Sequence, residues 1–139
     1  MHRFRISIYV LLTAINIAVS ARYLLAASWV LVCGRTEALT NGCYEWPTRV
    51  VVVSGIVLSS ATALLLSTIA MWLRYRWSRI SAAISLLAFS AVETMETIAI
   101  SMELGFQGAD IPFFIFGPAM LAWAVVVWVV VGRLIPRKP

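Results

Sequence analysis

Four long apolar blocks, separated by short polar segments, dominate the pattern of hydrophobic and polar positions. The blocks cover residues 6–32, 50–73, 80–104 and 111–132. At 1.5 Å of rise per residue, a helix over any of them is about 33 Å long or more, which exceeds the bilayer's hydrocarbon core of about 30 Å. The pattern therefore predicts an all-α membrane protein, a single four-transmembrane-helix bundle over residues 1–139.

The composition agrees with this pattern. Of the 139 residues, 62% are hydrophobic and only 12% are charged, whereas soluble domains carry about 25% charged residues. The four blocks take up most of the chain, so we expect no separate soluble domain. Any function must then reside in the helices, in the short loops or in a partner.

The charges are distributed unevenly along the chain. Basic residues cluster at positions 2–5, 74–79 and 133–138, whereas segments 33–47 and 105–110 carry more acidic than basic residues. Because basic loops stay on the cytoplasmic side of a membrane, both termini are predicted to be cytoplasmic, in a plasma or inner membrane. Topology and affinity for anionic lipids then explain the net charge of +5, and we expect no nucleic-acid partner.

Charged and amide side chains inside two of the blocks form a predicted polar seam, made of Asn16, Arg22, Glu93 and Glu96. Counted from the start of its block, Arg22 lies about 24 Å along its helix, and the two glutamates lie about 20 and 24 Å along theirs. A charge at such a depth is costly unless it is paired. We therefore expect an ion pair between Arg22 and Glu93 or Glu96, joining the first and third helices.

Two interpretations of this seam stay open. In the structural one, one carboxylate neutralises Arg22 and fixes the register of the helices. In the functional one, Glu93 or Glu96 carries protons or another cation across the membrane.

The chain has two cysteines, Cys33 and Cys43, and both fall in the loop predicted to face outwards. Asn41-Gly42 indicates a turn that can bring them together. Since the outer compartment is usually oxidising, we predict a disulfide bond between them.

The second block carries a small residue at every fourth position: Gly55, Ser59, Ala63 and Ser67. Small residues allow a second helix to approach closely within a membrane. We therefore predict that this stripe is a helix-packing face.

Several kinds of chemistry lack the residues they need. His2 is the single histidine, so bis-histidine haem, a zinc site and a Ser-His-Asp triad are disfavoured. The blocks contain no lysine, and the chain has no glycine-rich phosphate loop. We expect no enzyme activity, no cofactor and no metal, while a lipid or quinone between apolar helices remains open.

Two functional hypotheses follow. The first is a non-enzymatic accessory or structural subunit of a larger membrane assembly, because the apolar faces are broad and catalytic residues are lacking. The second is a small oligomeric transporter, coupled to protons through Glu93 or Glu96. Both have membrane lipids as partners, the first with other membrane subunits and the second as a homo-oligomer.

Overall fold

The computed structural model describes residues 2–33, 48–104 and 111–134, and with them the side chains of residues 3–29, 31–32, 51–98 and 115–133. The described chain forms four helices: α1 (His2–Cys33), α2 (Thr48–Trp72), α3 (Arg76–Leu104) and α4 (Ile111–Leu134). Each helix is long and apolar enough to cross a membrane. The predicted all-helical architecture is confirmed, with every helix bound within four residues of the prediction.

Hydroxyl side chains within the apolar helices are mostly satisfied by their own helix. Thr13, Ser59, Ser67 and Ser85 are examples, each donating a hydrogen bond of 2.6–2.9 Å to the carbonyl oxygen four residues earlier. A polar group without a partner is costly in a membrane. These local bonds allow many serines and threonines to lie in long apolar helices without needing a donor or acceptor on another helix.

The helices pack as sequential neighbours, α1 against α2, α2 against α3, and α3 against α4. Their core is formed by almost fully buried side chains, including Leu64, Leu86, Phe89 and Val127. Many other large apolar side chains, such as Leu25 and Ile84, are exposed on the outer surface. A surface of this kind suits contact with lipid or with other proteins rather than with water.

Helix α1 reaches the other three helices through hydrogen bonds between side chains. Thr13 accepts from Trp72 on α2, Asn16 accepts from Trp123 on α4, and Tyr23 donates to Glu93 on α3. The contacts between α1 and α2 pair the start of one helix with the end of the other, as expected of antiparallel neighbours.

A turn of three residues joins α2 to α3. The N–H of Arg74 bonds to the carbonyl of Met71, and the N–H of Tyr75 bonds to the carbonyl of Ala70. This is the Schellman pattern of a helix C-terminus, in which the residue after the cap adopts a left-handed conformation. Arg74 occupies that position with φ of 61°, where glycine is usual.

Helices α3 and α4 approach each other closely at Ser90 and Gly117. The Ser90 hydroxyl donates a 2.7 Å hydrogen bond to the carbonyl oxygen of Gly117, next to Pro118 inside α4. A Cβ atom at Gly117 would lie only 2.5 Å from Oγ1 of Thr94. Glycine at position 117 therefore allows the two helices to meet.

The predicted packing stripe on α2 lies in mixed surroundings. Ser67 is fully buried, but Ser59 and Ala63 line an open groove, and a Cβ atom at Gly55 would have nothing within 4 Å. Close packing of a second helix over the whole stripe stays a prediction.

The predicted disulfide lies outside the described residues. Cys33 ends α1, but its side chain and the whole of Cys43 belong to the part of the chain that the structure does not describe. The bond between the two residues stays a prediction.

Candidate functional site

One face of α1 carries the candidate site. Leu12, Asn16, Ser20, Tyr23 and Ala27 are all buried, and their spacing of four, four, three and four residues puts them on one side of a helix. Asn16 and Ser20 have no exposed surface at all. The face that α1 turns towards the other helices is therefore polar in its middle and apolar at both ends.

Tyr23 connects α1 to the third helix in two ways. Its ring stacks on the ring of Phe89, with centroids 4.1 Å apart and planes 7° from parallel. Its hydroxyl donates a 2.6 Å hydrogen bond to Oε1 of Glu93, one turn further along α3. Such a short O–H···O distance is typical of a charge-assisted bond to a carboxylate. The stacking holds the phenol in the position from which it can donate.

Asn16 connects α1 to the fourth helix. Its Oδ1 accepts a 2.8 Å hydrogen bond from Nε1 of Trp123, so the amide nitrogen faces elsewhere. That Nδ2 and the hydroxyl of Ser20 are both buried and have no hydrogen-bond partner among the described residues. The interior beside Asn16 and Ser20 thus retains unused hydrogen-bonding capacity.

Arg22 and Glu96 lie on the outer surface of the helices, and both are exposed. The guanidinium carbon of Arg22 lies 4.2 Å from the centroid of the Phe116 ring and 5.8 Å from that of Tyr23. These are cation–π contacts. Within the described residues, Arg22 makes no ion pair with Glu93 or Glu96, so the ion pair expected from the sequence is not formed.

The angle around the helix explains this outcome. Consecutive residues of a helix are separated by about 100°, so Tyr23 points into the bundle and its neighbour Arg22 points away from it. Glu96 follows Glu93 by three residues and has turned about 60° towards the outside. Residues at the same distance along two helices can therefore point to different sides of those helices. Of the predicted seam, Asn16 and Glu93 make hydrogen bonds to other helices within the bundle, whereas Arg22 contacts the ring of Phe116 on α4 from the exposed surface and Glu96 is exposed.

Two residues of the site, Tyr23 and Trp123, were not included in the predicted seam. Tyr23 could have been found because it lies seven residues after Asn16 and so shares its face. Trp123 could not, because nothing in the local pattern of α4 indicates which helix its indole N–H will meet. Both residues combine an apolar ring with a polar group that needs a partner when buried.

The arrangement can hold a proton or a small polar group. Glu93 supplies a half-buried carboxyl group, and Tyr23 supplies the hydroxyl that orients it. Among the described side chains, no three His, Cys, Asp or Glu residues come together as a metal site would require.

No family model, curated protein or solved structure matches this chain.

Proposed function

We propose that this protein is a non-enzymatic subunit of a larger membrane assembly, with both termini on the cytoplasmic side. The proposal rests chiefly on Arg22, a cation that lies within an apolar span and yet is exposed on the helix surface. Arg22 lies about 24 Å along its helix, in the outer half of the predicted span, and the cost of its charge rises towards the value of about 2.5–3.5 kcal/mol that insertion scales give at the centre of a helix. A partner helix that carries a carboxylate or a carbonyl oxygen at this level would remove that cost.

Further support comes from the outer faces of the helices. Leu25, which follows Arg22 by three residues, has 74% of its side chain exposed, and Trp29 has 63%. Arg22, Leu25 and Trp29 lie on one face of α1. A cation flanked by large apolar side chains is a suitable contact for a partner helix, since arginine and tryptophan often dominate interface energies.

Co-purification tests the proposal. The tagged protein is extracted from its native membrane in a mild detergent, and the proteins retained with it are quantified. We expect a stoichiometric membrane partner with the wild type and at least about tenfold less of it with Arg22→Gln, a loss of about 1.4 kcal/mol. Arg3→Gln is the matched control, because it removes the same charge from the exposed start of α1. A partner retained equally by both variants would contradict the role of Arg22, and the absence of any partner would contradict the proposal.

The hydrogen bond between Tyr23 and Glu93 favours a second candidate, a proton-coupled transporter. A carboxyl group inside a span is typical of proton paths in membranes, and Glu93 is the acidic residue that the structure brings against another helix. In this alternative the chain works as a homo-oligomer and Glu93 takes up and releases the proton.

Reconstitution in liposomes tests this alternative. A pH-sensitive dye inside the liposomes reports proton entry, measured alone and with a panel of amino acids, sugars and organic cations. The alternative requires proton entry that is lost in Glu93→Gln and kept in Glu96→Gln, because Glu96 is exposed on the outside of α3. If liposomes with the wild-type protein show no more proton entry than empty liposomes with any solute of the panel, the transporter alternative is ruled out.

A further inference from the structure

Two grooves run along opposite sides of the first half of α3. The first groove, of about 470 Å³, lies between α2 and α3 and is lined by small residues, among them Ser59, Ala63, Ser81 and Ser85. The second groove, of about 270 Å³, lies between α3 and α4 and is wholly apolar, with Ala83, Leu87 and Val125 in its walls. Small-molecule sites in proteins have volumes of about 300–1,000 Å³, so the first groove falls within this range and the second lies just below it.

The two grooves share one wall. Ile80 and Ile84 line both of them, and these side chains are 50% and 60% exposed. They form a ridge, one helical turn long, with a groove on each side. A ligand that lies across this ridge needs two apolar arms that extend in the same direction.

Cations and tryptophans gather at the end of the ridge where α3 begins. Trp77 lines the first groove and Trp128 lines the second. The guanidinium carbon of Arg79 lies 3.8 Å from the centroid of the Trp128 ring, and Nε of Arg79 is buried without a hydrogen-bond partner among the described residues. Arg76, one turn earlier, is exposed. Arg76 and Arg79 line neither groove, but both lie within four residues before Ile80 on α3, so the end of the ridge where α3 begins is positively charged.

We infer that this face binds one molecule of an anionic diacyl phospholipid, with an acyl chain in each groove and the phosphate at Arg76 and Arg79. The positive charge at this end of the ridge is complementary to the phosphate, and guanidinium groups bind phosphate oxygens in pairs. The tryptophans lie where the acyl chains meet the headgroup, a position that these side chains favour in membranes. The site requires only that the helices lie in a membrane, so it is independent of the proposed partner subunit.

Glycine at position 132 keeps Arg79 in place. A Cβ atom there would lie 2.6 Å from the guanidinium carbon of Arg79. The guanidinium is thus packed between the backbone of α4 and the face of Trp128, which lines the second groove, and its position is defined before any lipid binds. Such preorganisation reduces the entropy lost on binding.

Native mass spectrometry of the purified protein measures how much the headgroup charge contributes to lipid binding. The protein is mixed in detergent with equal amounts of phosphatidylglycerol and phosphatidylcholine, which differ in headgroup charge, and the lipid retained by each protein molecule is counted. We expect preferential retention of one phosphatidylglycerol. Arg76→Gln and Arg79→Gln should each lower it about fivefold, as the loss of one cation near a lipid surface predicts.

Two further variants separate charge from folding. Arg79→Lys keeps the charge and should keep most of the preference for phosphatidylglycerol, even if its packing on Trp128 is weaker. Arg3→Gln removes a charge from the start of α1, outside both grooves, and should bind as the wild type does. Equal retention of the two lipids by the wild type, or equal losses in Arg3→Gln and Arg76→Gln, would overturn the inference.

Substitutions that fill the grooves test whether the acyl chains of the lipid lie in them. Ser59→Leu obstructs the first groove and Val125→Phe obstructs the second, and each should lower retention of phosphatidylglycerol severalfold. Thr62→Leu and Val126→Phe are the matched controls, because both side chains are exposed and line neither groove. Unchanged retention in both groove variants would show that the lipid does not lie there.

Discussion

Glu93 accepts a hydrogen bond from a phenol whose ring is itself held by stacking on Phe89. A hydrogen bond to a charged group stabilises a folded protein by about 1.5–3 kcal/mol. Tyr23→Phe keeps the ring and the stacking but removes the hydroxyl. We expect it to lower the free energy of unfolding by about that amount, measured by thermal or denaturant unfolding in detergent.

Tyr75→Phe is the control for this substitution. Tyr75 is 52% exposed in the turn between α2 and α3, so losing its hydroxyl should change the stability by less than about 0.5 kcal/mol. Glu93→Gln combined with Tyr23→Phe should cost less than the sum of the two single changes, because they remove the same bond. Strict additivity would show that the bond contributes nothing.

At the scale of residues, the sequence predicted which polar groups lie deep in the helices but not which partners they meet. Asn16 is buried and Glu93 half-buried, whereas Arg22 and Glu96, at similar depths in the same apolar blocks, are exposed. The pairing of Glu93 with Tyr23 instead of Arg22 depends on how α1 and α3 are rotated against each other. That rotation results from packing over the whole bundle, which no local pattern contains.

At the scale of elements, two glycines in helices have opposite surroundings. Gly117→Ala would drive a methyl group against the Thr94 hydroxyl, which is itself bonded to the carbonyl of Ser90. Overpacking of this kind costs about 1–3 kcal/mol. Gly55→Ala meets open space and should stabilise α2 by up to about 1 kcal/mol, as alanine does in helix interiors.

The same unfolding measurement distinguishes these two variants. Gly117→Ala should melt below the wild type and Gly55→Ala at or above it. If Gly117→Ala is as stable as the wild type, α3 and α4 can move apart without lowering the free energy of unfolding. The close contact at Gly117 is then not required for stability.

The turn between α2 and α3 offers another test at this scale. Arg74 has a left-handed backbone, which costs a residue with a Cβ atom about 1–2 kcal/mol more than glycine. Arg74→Gly should therefore raise the free energy of unfolding by about 1 kcal/mol. Arg76→Gly removes the same charge from the first turn of α3 and should lower it by up to about 1 kcal/mol. Equal effects of the two changes would mean that charge, and not the backbone, determines the result.

The four helices were predictable because each apolar block is long and ends at polar segments. The packing faces were not equally predictable. The repeat of small residues on α2 is regular, yet the tight contact involves Gly117 on α4, an isolated glycine beside a proline. Spacing shows where a helix could be approached closely, whereas the shapes of both helices determine where the approach occurs.

At the scale of the whole molecule, the orientation in the membrane is testable by chemical labelling. Six of the seven arginines with described side chains lie at the helix ends that meet the α2–α3 turn: Arg3, Arg5, Arg74, Arg76, Arg79 and Arg133. This end is predicted to be cytoplasmic. In a chain whose own cysteines are replaced by serine, Tyr75→Cys should resist a membrane-impermeant maleimide applied outside intact cells, and Thr40→Cys should react. Labelling of Tyr75→Cys but not of Thr40→Cys would show that the protein has the opposite orientation in the membrane.

The loop that is predicted to face outwards contains the two cysteines of the predicted disulfide bond. A bond between Cys33 and Cys43 should stabilise the protein by about 2–3 kcal/mol in the loop-entropy account. Folded, unreduced protein should resist alkylation, as measured by intact mass, and reduction should lower the melting temperature. Two thiols that alkylate without reduction would show that the bond is absent.

The hydrogen bond between Asn16 and Trp123 joins residues that are 107 positions apart, and this distance matters during biosynthesis. Because a chain is made from its N-terminus, the predicted membrane insertion would bring α1 into the bilayer while the last helix is still to be translated. Until then the Asn16 amide lacks the indole it will bond to, in surroundings that penalise a bare polar group. A chain arrested before α4 thus leaves the oxygen of the Asn16 amide without the indole donor that it has in the finished fold, a chemical difference between unfinished and finished copies.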